Sequence, residues 1–348
     1  DGKRINQPTD LGNAIAILRG TDPNDKRIFM IGGHLDSRVS DVMNNKDFAP
    51  GANDDGSGVG AVIESARILS QSKFPATIVF VAFSGEEQGL LGAKMLAEKA
   101  KNENWQLEAL LNNDMIGNNL SSETNLINAN QLRVFSEGLP QFDLDKKAQG
   151  IRNLGLENDG EARQLARYIK EIGERYVDNL EVKLIYRNDR FLRGGDHTSF
   201  VNQGFSAVRL TEFNENYDHQ HQDIRKENGK QFGDLPEFMD FEYFKKNVGV
   251  NVSVLANLAK SPSKPENVKM DVKELTNFTT IHWEKPKNGV VAGYYVLMRE
   301  TDSSTWQKKF FTKENSMKLP YSKDNYFFAV QAVNSSGNES LIVIPSVK

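Results

Sequence analysis

Five separated segments of this 348-residue chain carry residues that ligate metals or move protons. GGHLDSR at 32–38 supplies His34 and Asp36. PGANDDGSG at 50–58 supplies Asp54 and Asp55. FSGEEQG at 83–89 supplies Glu86 and Glu87. NNDMIGN at 112–118 supplies Asp114, and YDHQHQD at 217–223 supplies His219, His221 and Asp223. Histidine and carboxylate ligands without cysteine suit a catalytic rather than a structural zinc. Several carboxylates and two histidines exceed the needs of one open tetrahedral site. They suit two cations about 3.5–4 Å apart, bridged by a carboxylate and a water. Adjacent residues leaving a strand point to opposite sides. Of Glu86 and Glu87, one can therefore ligate while its neighbour takes a proton from the attacking water.

Each piece alone has a plainer reading. His34 could be a structural residue of a strand-to-loop turn. Asp54 and Asp55 could cap the following helix. Glu86 and Glu87 could form a solvated turn, and Asp114 could simply close a strand. His197, beside Asp196, reads as a helix-start residue, and His282 as a surface strand residue. The coincidence of five such segments is what favours chemistry.

The elements that must position these residues follow from the apolar pattern. Runs at 14–18 and 27–31, flanked by Gly, Asp and Pro, read as strands. Residues 57–70 carry apolar side chains at helical spacing. TIVFVAF at 77–83 is a continuous apolar run, as expected of a central strand covered on both faces. Residues 90–99 read as a helix, 107–112 as a strand, 161–177 as an amphipathic helix and 182–186 as a strand. A short helix at 196–202, a strand at 205–210 and a long helix at 243–258 follow. Alternating strands and helices predict an α/β fold with a mostly parallel sheet sandwiched by helices. In such sheets ligands bind outside the carboxyl ends of the strands, where the five segments fall.

The character changes at KSPSKP, 260–265, a Pro/Ser linker. Strand-like stretches at 277–283, 291–299, 306–311 and 326–333 then alternate apolar and polar residues. They predict a small all-β sandwich domain over 265–348, after a first domain at 1–260. The composition is that of a soluble globular protein, with 38% hydrophobic and 26% charged residues. A net charge of −4 gives no basic footprint for nucleic acid. No apolar run approaches the roughly 18–20 residues of a membrane span. The absence of cysteine excludes disulfides and cysteine nucleophiles. The chain starts DGK, without Met or an apolar leader, and is read as a processed or trimmed product.

The set GGHLDSR, PGANDDGSGVGAVIE, FSGEEQGLLGA, NNDMIGN and YDHQHQD, in this order across residues 12–260, resembles the zinc aminopeptidase family of the bacterial leucyl aminopeptidase type. That family also contains glutamate carboxypeptidase II and glutaminyl cyclase. The resemblance implies two zinc ions. It pairs His34 with Asp114 on one, Glu87 with the late histidine on the other, and makes Asp54 the bridge. Glu86 is then the general base, and Asp36 holds the ring of His34. In the family the late histidine is commonly followed four residues on by Asp. His219 and Asp223 fit that spacing and His221 does not, so His219 is the expected ligand. Tyr217 and Arg193 are implied as substrate contacts, although Tyr217 stands one residue further from the histidine than the family pattern has it. The resemblance also implies a cis peptide bond after Asp54, with Asp55 turned away to hydrogen-bond backbone. Family members usually carry a further helix and strand before the stretch GNAIAILRG, so one flank of the sheet is expected to be incomplete.

The tail from about Pro265 resembles a fibronectin type III domain, with Trp283, Tyr295 and Tyr326 where that fold keeps its core aromatics. Such tails commonly tether or bind a partner. Together these resemblances imply an exopeptidase, foremost an aminopeptidase acting on peptides with a free N-terminus, in an extracytoplasmic (secreted or periplasmic) location. A one-zinc glutaminyl cyclase, a carboxypeptidase and a metal-free binding relative are the rival readings.

Overall fold

The computed structural model describes residues 3–139 and 150–347. The chain forms two compact units. One comprises Lys26–Lys73 and Thr77–Leu255 with the N-terminal residues up to Gly20. The other runs from Ala256 onward and includes Thr21–Asp25 and Phe74–Ala76.

The first unit is built on a seven-stranded sheet. Its strands are β1 (Ala14–Leu18), β2 (Arg27–His34), β3 (Thr77–Phe83), β4 (Gln106–Asn113), β5 (Gln131–Phe135), β6 (Glu181–Ile185) and β7 (Ala207–Glu212), in spatial order β1-β3-β2-β4-β7-β5-β6. β3, β2, β4 and β7 run parallel to one another, as do β5 and β6. β1 lies antiparallel to β3, and β5 antiparallel to β7. The helices that bear on the sheet include α1 (Gly56–Leu69), α2 (Leu91–Asn102), α3 (Glu161–Tyr176), α4 (Asp196–Asn202) and α5 (Phe241–Lys260).

Alternation along β2 shows how helices cover both faces. Met30 joins a buried cluster with Val79, Val81, Phe83 and Leu110, packed by Leu96 of α2 and Phe200 of α4. Gly33 faces the other way, and a Cβ there would lie 2.6 Å from the backbone of Gly58 in α1. Only glycine allows the start of α1 to sit this close to the strand. Register brings the strand ends level: His34 pairs with Phe83, and Asn113 with Leu210. The carboxyl ends of β2, β3, β4 and β7 thus share one edge. β5 (QLRVF) is a strand the sequence pattern does not announce, because Gln131 and Arg133 interrupt a run too short to show periodicity.

In the second unit, a four-stranded sheet holds β10 (Glu266–Met270), β11 (Thr279–Glu284), β14 (Ser316–Leu319) and β16 (Ser346–Val347). A three-stranded sheet holds β12 (Gly293–Glu300), β13 (Lys308–Thr312) and β15 (Tyr326–Val333). The remaining hairpin, β8 (Arg225–Glu227) with β9 (Lys230–Phe232), belongs to the first unit. In the core of the second unit Trp283 packs edge-on against Tyr294, with ring centroids 5.3 Å apart. The expected core residue Tyr295 is one position off. It faces the other side of β12, half-buried against Phe311. Tyr326 packs partly buried at the cluster's margin.

Candidate active site

Ligand-type side chains converge at the shared strand edge in two groups of three: His34, Glu86 and Asp114, and Asp54, Glu87 and His221. Within each group the candidate atoms lie within 4.8 Å of one another. Asp54 joins the groups. Its Oδ1 is 3.1 Å from His34 Nε2 and its Oδ2 is 3.0 Å from His221 Nε2. His221 Nε2 also lies 2.7 Å from Glu87 Oε1. That oxygen has no aligned hydrogen-bond donor despite the short separation. Atoms that approach one another without pairing are arranged as ligands around a common centre are.

The local chain explains this placement. The Asp54–Asp55 peptide bond is cis, as the resemblance implies. Asp54 projects into the site while Asp55 turns back. Asp55 Oδ2 accepts from His34 N at 2.8 Å, and its Oδ1 accepts from Gly58 N at 2.9 Å and Met115 N at 3.1 Å. Asp55 therefore caps α1 and ties that loop to the ends of β2 and β4. Asp234 holds the other side, accepting from the backbone N–H groups of Asn53 and Asp54 at 2.9 and 2.7 Å.

Asp36 orients His34, though not with its carboxylate. His34 Nδ1 lies 2.8 Å from the backbone oxygen of Asp36 and 3.9 Å from its carboxylate. A protonated Nδ1 donating to that carbonyl leaves Nε2 free to ligate. The Asp36 carboxylate is engaged elsewhere, accepting from the N–H groups of Gly85, Glu86 and Glu87.

His219 does not join the cluster; His221 stands where it was expected. His219 stacks on Phe238 with ring centroids 3.8 Å apart and planes 8° from parallel. His221 takes a positive φ of 55°, which turns it back toward Asp54. The spacing to Asp223 does not pick the ligand, because Asp223 serves a loop contact. It accepts from Ser40 N, and its own N–H donates to Ser40 Oγ. Arg193 donates to Glu215 at 2.9 Å, a partner it shares with Arg133 and Arg190. Tyr217 is largely exposed. His282 is far along the chain in β11, paired with Asp271.

Three residues at the site escaped the sequence reading. Arg209, fully buried on β7, reaches Asp114 Oδ1 at 2.9 Å and Asp189 at 3.2 Å. Arg38 Nε lies 3.5 Å from Glu87 Oε2. Asp196, at the start of α4, is buried with neither carboxylate oxygen hydrogen-bonded. A signal existed for Arg209 alone: a charge inside the apolar run SAVRL at 206–210.

The electrostatics are those of negative charge gathered out of water. Burial, reinforced by Asp114, Glu87 and Asp54 against the pull of His34, pushes Glu86 up to about 8. Burial likewise raises Asp114, with Arg209 opposing, and raises Asp196 well above the carboxylate range, with Glu86 adding to it. Burial works against the charged form of His221, yet Asp54 and Glu87 push it up to about 9. His34 is raised for the same kind of reason, and Asp54 is held well below its ordinary value by both histidines. Without a cation, protons on the two imidazoles supply the positive charge that the carboxylates demand. Cations bound at these atoms would release those protons.

Comparison with known proteins agrees with this architecture. The pattern of Peptidase family M28 matches residues 13–235, and that of the fibronectin type III domain matches residues 263–345. The chain belongs to peptidase family M28. A protein of Leptosphaeria maculans named "Probable zinc metalloprotease" is 42% identical over 343 residues, covering 98% of this chain and 79% of the relative. A second of that name, from Pyrenophora tritici-repentis, is 41% identical over 345 residues, covering 98% and 71%. Among solved structures, the aminopeptidase from Aneurinibacillus sp. strain AM-1 matches with a TM-score of 0.50 at 22% identity. That match covers 71% of this chain and 48% of the other, a likeness of fold. The chain thus spans about half the length of that structure.

Proposed function

We propose that the protein is a dizinc aminopeptidase. The observation that carries this reading is the division of Asp54 between two histidines, Oδ1 toward His34 and Oδ2 toward His221. A carboxylate so placed is positioned to bridge two cations. The residues fit zinc: a donor set of imidazole and carboxylate without cysteine, with a buried Glu87 oxygen left unpaired beside His221. His34 and Asp114 would hold one ion, Glu87 and His221 the second, and Asp54 both. When bound, zinc supplies Lewis acidity to the peptide carbonyl.

Glu86 has the position and the proton affinity of the general base. It takes a proton from the attacking water as the new C–O bond forms, and delivers it to the leaving amine as the C–N bond breaks. A raised carboxyl is suited to both halves of that transfer. Arg209 holds Asp114 in place, and Asp36 fixes the His34 ring and the Glu86–Glu87 turn together. The substrate's free α-amine sits on the Glu87–His221 side, which confines cleavage to the first peptide bond. The catalytic domain in this reading is 1–260, and 265–348 is a β domain that tethers or binds a partner. A location outside the cytoplasm belongs to the same reading, and assays of secreted and intracellular fractions test it.

The deciding experiment is a panel of aminoacyl chromogenic substrates with N-acetylated controls and zinc analysis of the same preparation. Cleavage that requires a free α-amine, with two zinc ions per chain, is expected. Cyclisation of N-terminal glutamine with one zinc would favour the cyclase. Release of C-terminal residues would favour the carboxypeptidase. No bound zinc and no turnover on any of these substrates would favour the metal-free binding relative.

A further inference from the structure

We infer that a small cavity behind Asp54 is a binding site for a hard, oxygen-seeking cation of sodium size, separate from the paired groups that face the substrate. The cavity has a volume of about 10 Å³. That is room for roughly one water-sized occupant. Three carboxylates line it, those of Asp54, Glu212 and Asp234, and no Lys or Arg does.

Glu212 points to the nature of the occupant. It is fully buried at the end of β7. Its Oε2 accepts from Asn53 Nδ2 and from Asn118 N, each at 2.9 Å. Its Oε1 has no hydrogen-bond partner. A carboxylate oxygen left unpaired in the interior is costly, so the site must supply positive charge or a donor.

The surrounding side chains do not supply it. The amide of Asn53 is spent on Oε2 itself. Those of Asn118 and Asn216 donate to the carbonyl of Leu120, and that of Gln220 donates to Asp54 Oδ2. His219 lines the cavity with its ring stacked on Phe238. The lining is therefore rich in oxygen and poor in available donors. Hard cations take such oxygen ligands.

The position gives the site a purpose. Glu212 holds the side chain of Asn53, and Asp234 holds the backbone N–H groups of Asn53 and Asp54. A cation bound between Glu212 and Asp234 would fix the loop that presents the shared carboxylate from its far side. This does not depend on the peptidase reading.

The test is thermal unfolding of the full chain, zinc-loaded, in sodium chloride and in choline chloride at equal ionic strength. Calcium chloride added to the choline buffer forms a third arm. Saturating sodium should raise the midpoint by about 2–4 °C over choline. Glu212→Gln supplies an amide donor in place of the free oxygen and should abolish the difference between salts, whatever its own midpoint. Asp234→Asn gives the same readout if the first variant does not fold. A calcium response that Glu212→Gln removes would assign the same site to the divalent ion. Equal wild-type midpoints in all three media would overturn the proposal in favour of a buried water or a proton on Glu212. A salt response that persists in both variants would overturn the location.

Discussion

The carboxylate of Asp36 accepts the backbone N–H of Glu87 at 2.9 Å, along with those of Gly85 at 2.7 Å and Glu86 at 3.1 Å. The carbonyl of the same residue meets His34 Nδ1 at 2.8 Å. One residue thus couples the imidazole at the end of β2 to the turn that presents both glutamates after β3. The charge-assisted bonds set the spacing between the two groups of candidate ligands. Asp36→Asn keeps the carbonyl contact but replaces one acceptor oxygen with a donor facing backbone N–H groups. Zinc affinity, measured by chelator competition, should fall by about 10–100-fold with the fold retained. Unchanged affinity and unchanged turnover would mean the turn holds its shape without Asp36.

The two glutamates should separate cleanly. Glu86→Gln should keep both zinc ions and lose at least about 10²–10⁴-fold in kcat, the range assigned to general acid–base catalysis. Glu87→Gln should lose zinc first, because its carboxylate is the one beside His221. Metal analysis and kcat measured on the same samples decide. Two variants with matching profiles would mean that the roles are not divided.

The histidine pair provides a second separation. His221→Ala should bring zinc toward one ion per chain, since His221 contacts both Asp54 and Glu87. His219→Ala should leave zinc content unchanged, because its ring stacks on Phe238 away from the candidate ligands. A loss of zinc from the His219 variant alone would return the ligand role to that residue.

These residues also show what the sequence could and could not disclose. The strand ends were legible because apolar runs break off in ionisable residues, and parallel strands of one sheet deliver such ends to one edge. Asp54 and Asp55 were separable only through the family resemblance, which made Asp54 the bridge, and Asp55 caps α1. The choice between His219 and His221 was not legible. It depends on a positive φ at His221, which no local pattern in YDHQHQD encodes. Tyr294 and Tyr295 illustrate the same limit on a strand, where a one-residue slip exchanges core for surface. The function of the Asp36 carboxylate lay in contacts across about fifty residues of chain, with donors that are backbone and leave no mark on sequence.

The metal-free protein should show a distinct pH dependence. His221 is raised to about 9, and a histidine raised on folding contributes stability that is complete below its unfolded value, near 6.5. That contribution is lost as pH rises through about 9. Glu86, raised to about 8, acts in the same direction, because the folded state keeps a proton that the unfolded chain has released. Urea midpoints of chelator-treated protein should therefore fall between about pH 6.5 and 9. Zinc affinity should rise over the same interval as ligand protons become easier to displace. A chelator-treated midpoint that holds level across this range would show that the imidazoles are not the charge compensators.

Arg209 tests how far the site depends on a charge that never meets solvent. It is fully buried, and Asp114 and Asp189 hold it charged against the cost of burial. The short contact to Asp114 Oδ1 leaves the other oxygen for the cation. Arg209→Met fills much of the same volume but takes the guanidinium from the buried carboxylate of Asp114, while Asp189 keeps its ion pair with Arg190. Removing one partner from a buried ion pair typically costs about 3–5 kcal/mol, largely through the charge left behind. Urea denaturation of the zinc-loaded variant should show a loss of that order. Because Arg209 holds Asp114 in place, zinc affinity should fall by about 10–100-fold as well. A loss of stability with zinc affinity unchanged would make Arg209 a counter-ion that does not position Asp114. A neutral Arg209→Met variant, stable and unchanged in zinc affinity, would remove Arg209 from the site altogether.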